Sequence, residues 1–207
     1  MTKATGPLFA VHFKRRRKGR TNYAARLALL KSSTTRLVVR KSNSSVSAQF
    51  VNFNSVGDAT VAQANSRDLK RFGFEGKCNT PSGYLVGYLV GKRALQKGVA
   101  QFVLDIGLHS ATKGNVLFAI AKGAIDAGLT SRVGEDKLPS QKRIEGKHLA
   151  PEVSAAFASA LEKIKSHNPA NVAAKSASKS ASSVKHQAKS SINSVAKPAV
   201  KPNASSI

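Results

Sequence analysis

The chain has 207 residues, and its 34 Lys and Arg outnumber its 10 Asp and Glu, giving a formal net charge of +24 and a pI near 10.8. A single cysteine, Cys78, excludes an internal disulfide framework and any Cys-cluster zinc site, and no ordered His–acid partner marks it as a nucleophile. No apolar segment follows the early positive charges, and the longest strongly apolar stretch, 84–90, is far short of the ~20 residues that span a bilayer, so a cytoplasmic protein without a membrane segment is expected.

Residues 1–57 hold twelve Lys or Arg and no Asp or Glu. Residues 1–20 read as a flexible basic arm in which Lys14, Arg15, Arg16, Arg17, Lys18 and Arg20 form one run. Like charges packed together resist compaction, so the run makes sense when a polyanion supplies the missing negative charge, and nucleic acid is the expected one; a solvated charge run or a localisation sequence is the other reading. Arg is favoured over Lys where paired donors grip phosphate.

The folded part is expected over 21–150, followed by a C-terminal helix within 151–167. Thr21 is placed to cap a short basic helix with Tyr23, Leu27 and Leu30 as its apolar positions. Tyr23 and Arg26, one turn apart, extend the basic patch with a stacking face and a guanidinium; Tyr23 reads equally well as an anchor in the core. Arg36-Leu37-Val38-Val39-Arg40 is a short β-branched strand, and Val46, Ala48 and Phe50 alternate with Ser47 and Gln49. With a third strand at 60–62, these form an antiparallel meander. Arg40, Lys41, Ser42 and Asn43 fall at the first hairpin tip, where two cations beside small hydrogen-bonding residues suit a sugar–phosphate backbone or an ordinary polar turn.

A short helix at 66–72 stops at Gly73. A longer one opens at Thr80-Pro81 and stops at Gly98, and its Gly83, Gly87 and Gly91 offer a flat face for close helix–sheet packing. A buried strand is expected at 101–106 and a helix over 112–127 stopped by Gly128. Thr112 and Lys113 would then stand at a helix start suited to phosphate. A short helix is expected at 140–146, and an amphipathic one over 152–165 with Val153, Phe157 and Leu161 on one face. The fold class is α/β: a mixed sheet that begins with a three-strand antiparallel meander, packed helices, a basic N-terminal arm and a disordered C-terminal tail. In that tail, 168–207, Ala, Ser and Lys make up twenty-five of forty residues without an aromatic, Gly or acid. Such a segment buries too little apolar surface to offset its conformational entropy.

Asp58, Asp105 and Asp126 are the residues from which a two-metal nuclease would be built, but Asp58 lies in a turn, Asp126 lies near a helix end, and no spacing forces them together. The Gly107–Gly114 loop lacks the Gly-Lys-Ser/Thr ending of a nucleotide-binding loop, and His109 in it has no indicated carboxylate partner. The chain is read as non-enzymatic, with no catalytic residue, metal or cofactor.

Several stretches resemble the archaeal and eukaryotic branch of the 5S rRNA-binding large-subunit ribosomal protein family, the L-eighteen family. They are Thr-Gly-Pro at 5–7, Arg-Arg-Arg at 15–17, Arg-Thr-Asn-Tyr at 20–23, Arg-Leu-Ala-Leu-Leu-Lys-Ser at 26–32 and Arg-Leu-Val-Val-Arg-Lys-Ser-Asn at 36–43. Leu-Asp-Ile-Gly-Leu-His at 104–109, Gly-Ala-Ile-Asp-Ala-Gly-Leu at 123–129 and Arg-Ile-Glu-Gly-Lys-His-Leu-Ala at 143–150 follow in order. The chain departs at Asn22, where Asp is usual, and at Lys77-Cys78-Asn79, where Thr-Gly-Asn is expected. The resemblance implies a structural constituent of the large ribosomal subunit that binds 5S rRNA and helps dock it in the central protuberance. Its implied partners are 5S rRNA, large-subunit rRNA and neighbouring ribosomal proteins. Carried over by position, it makes Lys14 to Lys18, Arg20, Tyr23, Arg26, Arg40, Lys41, Ser42 and Asn43 the RNA contacts. A general nucleic-acid-binding or compaction protein is the alternative, argued from the Lys-bearing tail.

Overall fold

The computed structural model describes residues 6, 7 and 9–167, all within one compact unit; the expected disorder of the 168–207 tail lies outside the described residues. Among the described residues the α-helices are α1 (Lys14–Arg17), α2 (Tyr23–Leu30), α3 (Thr80–Leu95), α4 (Val116–Asp126), α5 (Gln141–Ile144) and α6 (Pro151–Ser166). The strands are β1 (Arg36–Lys41), β2 (Val46–Asn52), β3 (Ala59–Asn65), β4 (Gln101–Asp105) and β5 (Thr130–Ser131). They form one mixed sheet in the order β3-β2-β1-β4-β5, antiparallel through the expected meander and parallel from β1 to β4 and from β4 to β5.

Strand alternation gives the sheet two unlike faces. Leu37 pairs with Phe50 and Val39 with Ala48, while Phe50 pairs with Ala62 across β3. These residues, with Phe102 edge-on to Phe50 at 5.6 Å, are buried in a core shared with α3, α4 and α6. The opposite face carries Arg36, Val38 and Arg40, registered with Val51, Gln49 and Ser47 on one side. On the other side Arg36 pairs with Val103 and Val38 with Asp105. One side of β1 is therefore core, and the other is a charged surface with Arg36 and Arg40 four residues apart and Val38 between them.

The helical layer is tighter than expected. Helix α3 starts where Asn79 caps it and Pro81 needs no hydrogen bond, and it packs along α4 with both N-termini at one end, Gly83 beside Val116 and Gly91 beside Ala124 and Ala127. A Cβ on Gly87 would fall 2.0 Å from the Ile120 carbonyl oxygen, and one on Gly123 would fall 2.2 Å from that of Tyr84. The glycine face of α3 thus serves helix–helix contact and not the helix–sheet contact expected of it, because Gly123 on α4 lets the two backbones close on each other.

Helix α4 begins four residues later than the sequence pattern implies. Gly114 is left-handed at φ +67° and donates its N–H to the Lys137 carbonyl, so Asn115 becomes the residue before the helix. Thr112 and Lys113 consequently do not stand at its start. Helix α6 buries Phe157, Ala160 and Ile164, with Val153 and Leu161 at the margins of that stripe. Lys92 donates to the carbonyls of Ile164 at 3.2 Å and Lys165, placing a cation at the negative end of the helix. Among the described residues no helix is long and apolar enough to cross a membrane.

Candidate nucleic-acid interface

The basic arm carries one helical turn, α1, which buries nothing. Lys14, Arg15, Arg16, Arg17, Lys18 and Arg20 are all exposed, and none forms an ion pair with a carboxylate among the described residues. Gly19, at φ +60°, turns the chain so that Arg15 Nε donates to Thr21 Oγ1 at 2.6 Å. Thr21 is thereby occupied, and the cap of α2 is Asn22, whose side chain accepts from the Ala25 N–H at 3.0 Å. This corrects the Thr21 cap: the capping role falls to Asn22, an uncharged side chain.

Helix α2 buries no residue, and Tyr23 is 45% exposed, so Tyr23 is a surface ring and not a core anchor. Arg26 projects from the same helix to Asp58 at 2.8 Å. From there a chain of alternating charges crosses the polar face of the sheet. Asp58 also takes Arg36 at 2.7 Å, Arg36 reaches Asp105 at 3.4 Å, and Asp105 takes Arg40 at 3.2 Å. Arg36 is only 3% exposed and Asp105 8%, and Arg36 Nε is buried without a hydrogen-bond partner. Three guanidinium groups on two carboxylates leave one positive charge in excess.

Arg40 is the most constrained of the exposed arginines. One terminal nitrogen donates to the carbonyls of Val39 at 2.7 Å and Asp105 at 2.8 Å, and the other to the Asp105 carboxylate. Gly107, left-handed at φ +66°, donates its N–H to that carboxylate at 2.9 Å. A Cβ on Gly107 would lie 2.8 Å from Arg40 Cζ, so the guanidinium lies directly over this peptide.

Together these elements enclose a cleft of about 710 Å³ between the arm, α2 and the sheet, lined among others by Arg15, Arg20, Arg26, Arg36, Arg40 and His109. Burial, then the nearby Lys41 and Arg40 charges, lowers the His109 pKa below its ordinary 6.5. Guanidinium donors, three of them fixed by Asp58 and Asp105, with the imidazole of His109 beside them are suited to phosphate oxygens.

Of the residues singled out in the sequence, Arg15, Arg20, Arg26 and Arg40 meet in this cleft. Lys14, Arg16, Arg17 and Lys18 lie exposed on the adjoining turn, and Tyr23 and Lys41 are exposed outside the lining. Ser42 closes the hairpin tip, its N–H donating to the Ser45 carbonyl at 2.8 Å and its hydroxyl bonded to that of Ser45; Asn43 is exposed there. Arg36, Gly107 and the ion-pairing roles of Asp58 and Asp105 were not foreseen. The signal was present in Arg36-Leu37-Val38-Val39-Arg40, where strand alternation puts both arginines on the face opposite Leu37 and Val39. Asp126 stands apart, accepting from the Tyr84 hydroxyl at 2.9 Å and paired with Lys122 at 3.0 Å. The three aspartates are thus spent on two separate structural tasks.

A family model described as ribosomal large subunit proteins 60S L5 and 50S L18 matches residues 8–101, which include the arm helix, the meander and α3. Large ribosomal subunit protein uL18 of Natronomonas pharaonis is 51% identical over 148 residues, covering 71% of this chain and 80% of that protein.

Proposed function

Because the chain belongs to the family of ribosomal large-subunit proteins that includes 60S L5 and 50S L18, we propose that it binds 5S rRNA and helps dock it on large-subunit rRNA in the central protuberance, as a structural and non-catalytic component. The observation that carries this reading is the division of labour at the cleft. The arm holds six exposed cations within 14–20 that lack a carboxylate partner among the described residues, while Arg26, Arg36 and Arg40 are fixed by Asp58 and Asp105. Exposed cations without a carboxylate partner supply attraction to any polyanion; fixed guanidinium groups favour one arrangement of phosphates. Exposed Tyr23 supplies a face on which an unstacked base can rest. The implied setting is the cytoplasmic ribosome, with large-subunit rRNA and neighbouring ribosomal proteins as further partners.

Competition binding tests the reading. Labelled 5S rRNA is bound to the full chain at ~150 mM salt, where loose surface attraction is screened, against excess tRNA and duplex DNA. Retained 5S binding is expected. Equal displacement by every competitor would overturn the specific reading and leave a general nucleic-acid-binding protein.

A further inference from the structure

The sheet ends in two edge strands, and they are guarded differently. Strand β5 is two residues long, too short to template another strand. Strand β3 runs for seven residues, Ala59–Asn65, and has β2 on one side only. An edge of that length offers its N–H and carbonyl groups to any strand that meets it. Charged side chains and proline are the usual guards on such a strand, and Ala-Thr-Val-Ala-Gln-Ala-Asn has neither. Its exposed side chains, Ala59, Thr60 and Gln63, carry no charge.

The guard comes from α3. Arg93 in its last turn and Lys97 just beyond its end are four residues apart and reach the same strand. Arg93 Nη1 donates to the Gln63 carbonyl at 2.5 Å, and Lys97 Nζ donates to the Val61 carbonyl. Val61 is the residue that the β-bulge leaves without a register partner on β2. At the end of the strand the Asn65 N–H donates to the Asp68 carboxylate at 3.2 Å, and Arg93 lies 3.6 Å from that carboxylate. Residues 61, 63 and 65 alternate with Ala62 and Ala64, whose side chains are buried in the core. Three successive alternate backbone positions along the edge are thus engaged by side chains.

We propose that Arg93 and Lys97 close the β3 edge against strand addition by a second copy of this chain. The edge itself selects that occupant. Two identical strands related by a two-fold axis run antiparallel, so every group that β3 offers is met by its counterpart on the other β3. In the wild-type chain an incoming strand has to displace charged donors from Val61 and Gln63, and the axis brings the cations of both copies together. Closure of the edge is a property of the free chain and holds whatever RNA the chain binds.

Sedimentation velocity of the full chain over a range of protein concentrations tests the closure, at ~0.5 M salt so that repulsion between the cationic surfaces is screened. Wild type is expected to remain monomeric. R93A/K97A is expected to dimerise at least about tenfold more tightly, because an entering strand no longer competes with two charged hydrogen bonds. Amide hydrogen exchange should show the Gln63 N–H, which points the same way as its carbonyl, protected on association. Adding Q63K to the double variant sets a charge on the edge itself and should restore the monomer. Lys97 is exposed, so K97A alone still reads the edge, with a shift in the same direction, if circular dichroism shows that the double variant has lost its fold. A folded variant as monomeric as wild type would overturn the closure, and so would association that leaves Gln63 unprotected or ignores Q63K.

Discussion

Arg36 is nearly sealed from water, and it is tolerable there only because Asp58 and Asp105 both face it. Removing one partner of a buried ion pair leaves an uncompensated charge, which costs about 3–5 kcal/mol. Asp105→Ala is therefore expected to destabilise the domain by about that amount in urea unfolding, with a large drop in RNA affinity because Arg40 loses its anchor as well. Gly107→Ala separates the two effects. It leaves the Arg36 pairs intact, but its left-handed φ costs a side chain about 1–2 kcal/mol and its Cβ displaces the Arg40 guanidinium. Affinity for 5S rRNA should fall more than stability does, a comparison that equilibrium binding and denaturation make on one preparation. His109 gives a pH signature. Its folded pKa lies below the ordinary 6.5, so the unfolded chain holds the proton more tightly, and the contribution to stability present above 6.5 is lost as pH falls. A phosphate at the cleft would offset Lys41 and Arg40 and favour the protonated ring. RNA binding should then take up a proton and strengthen as pH falls through this range, while His109→Asn should flatten that dependence.

At the scale of elements, the α3–α4 contact is the most demanding feature of the fold. Gly87→Ala would drive a methyl group into the Ile120 backbone, and overpacking of this kind costs about 1–3 kcal/mol even when neighbours yield. A loss of stability in at least that range is expected by thermal or urea unfolding, whereas Gly57→Ala, with open space around it, should stay within about 0.5 kcal/mol. The four-residue recurrence of Gly83, Gly87 and Gly91 was legible as a close-packing face. Its partner was not, because what lies opposite a smooth helix face is decided by topology, and the matching Gly123 lies in a different helix. The meander, α3 and α6 were legible because alternation, Pro81 and a helical apolar stripe are local signals. Strand β5 is two residues long and shows no period, and the late start of α4 depends on a hydrogen bond from Gly114 to Lys137 that local pattern does not reveal. The site divides in the same way. The arm was plain from charge, but the carboxylates that fix Arg36 come from 22 and 69 residues away, so no local spacing could pair them.

For the whole molecule, the proposed reading puts the charges that attract RNA and the charges that orient it on different parts of the chain, and this separation makes them experimentally distinguishable. Each phosphate neutralised by a free cation releases condensed counterions, so the salt slope counts free cations at the interface. On that reading the arm supplies most of these, whereas Arg26, Arg36 and Arg40 already share two carboxylates and would add little to the count. If the arm makes about six phosphate contacts, log K should fall with log salt at a slope of about −4 to −5. Neutralising three arm cations in R15Q/R16Q/R17Q should reduce that slope by about two to three and weaken 5S rRNA and tRNA alike, leaving their ratio unchanged. Arg40→Gln should do the reverse, changing the slope by less than one while lowering the preference for 5S rRNA, because it removes a donor whose position is fixed by Val39, Asp105 and Gly107. Binding isotherms for both RNAs at four or five salt concentrations decide between these outcomes. A preference that fell with the arm charges and was indifferent to Arg40 would mean that recognition resides in the arm, and that the ion-paired sheet face serves the fold alone.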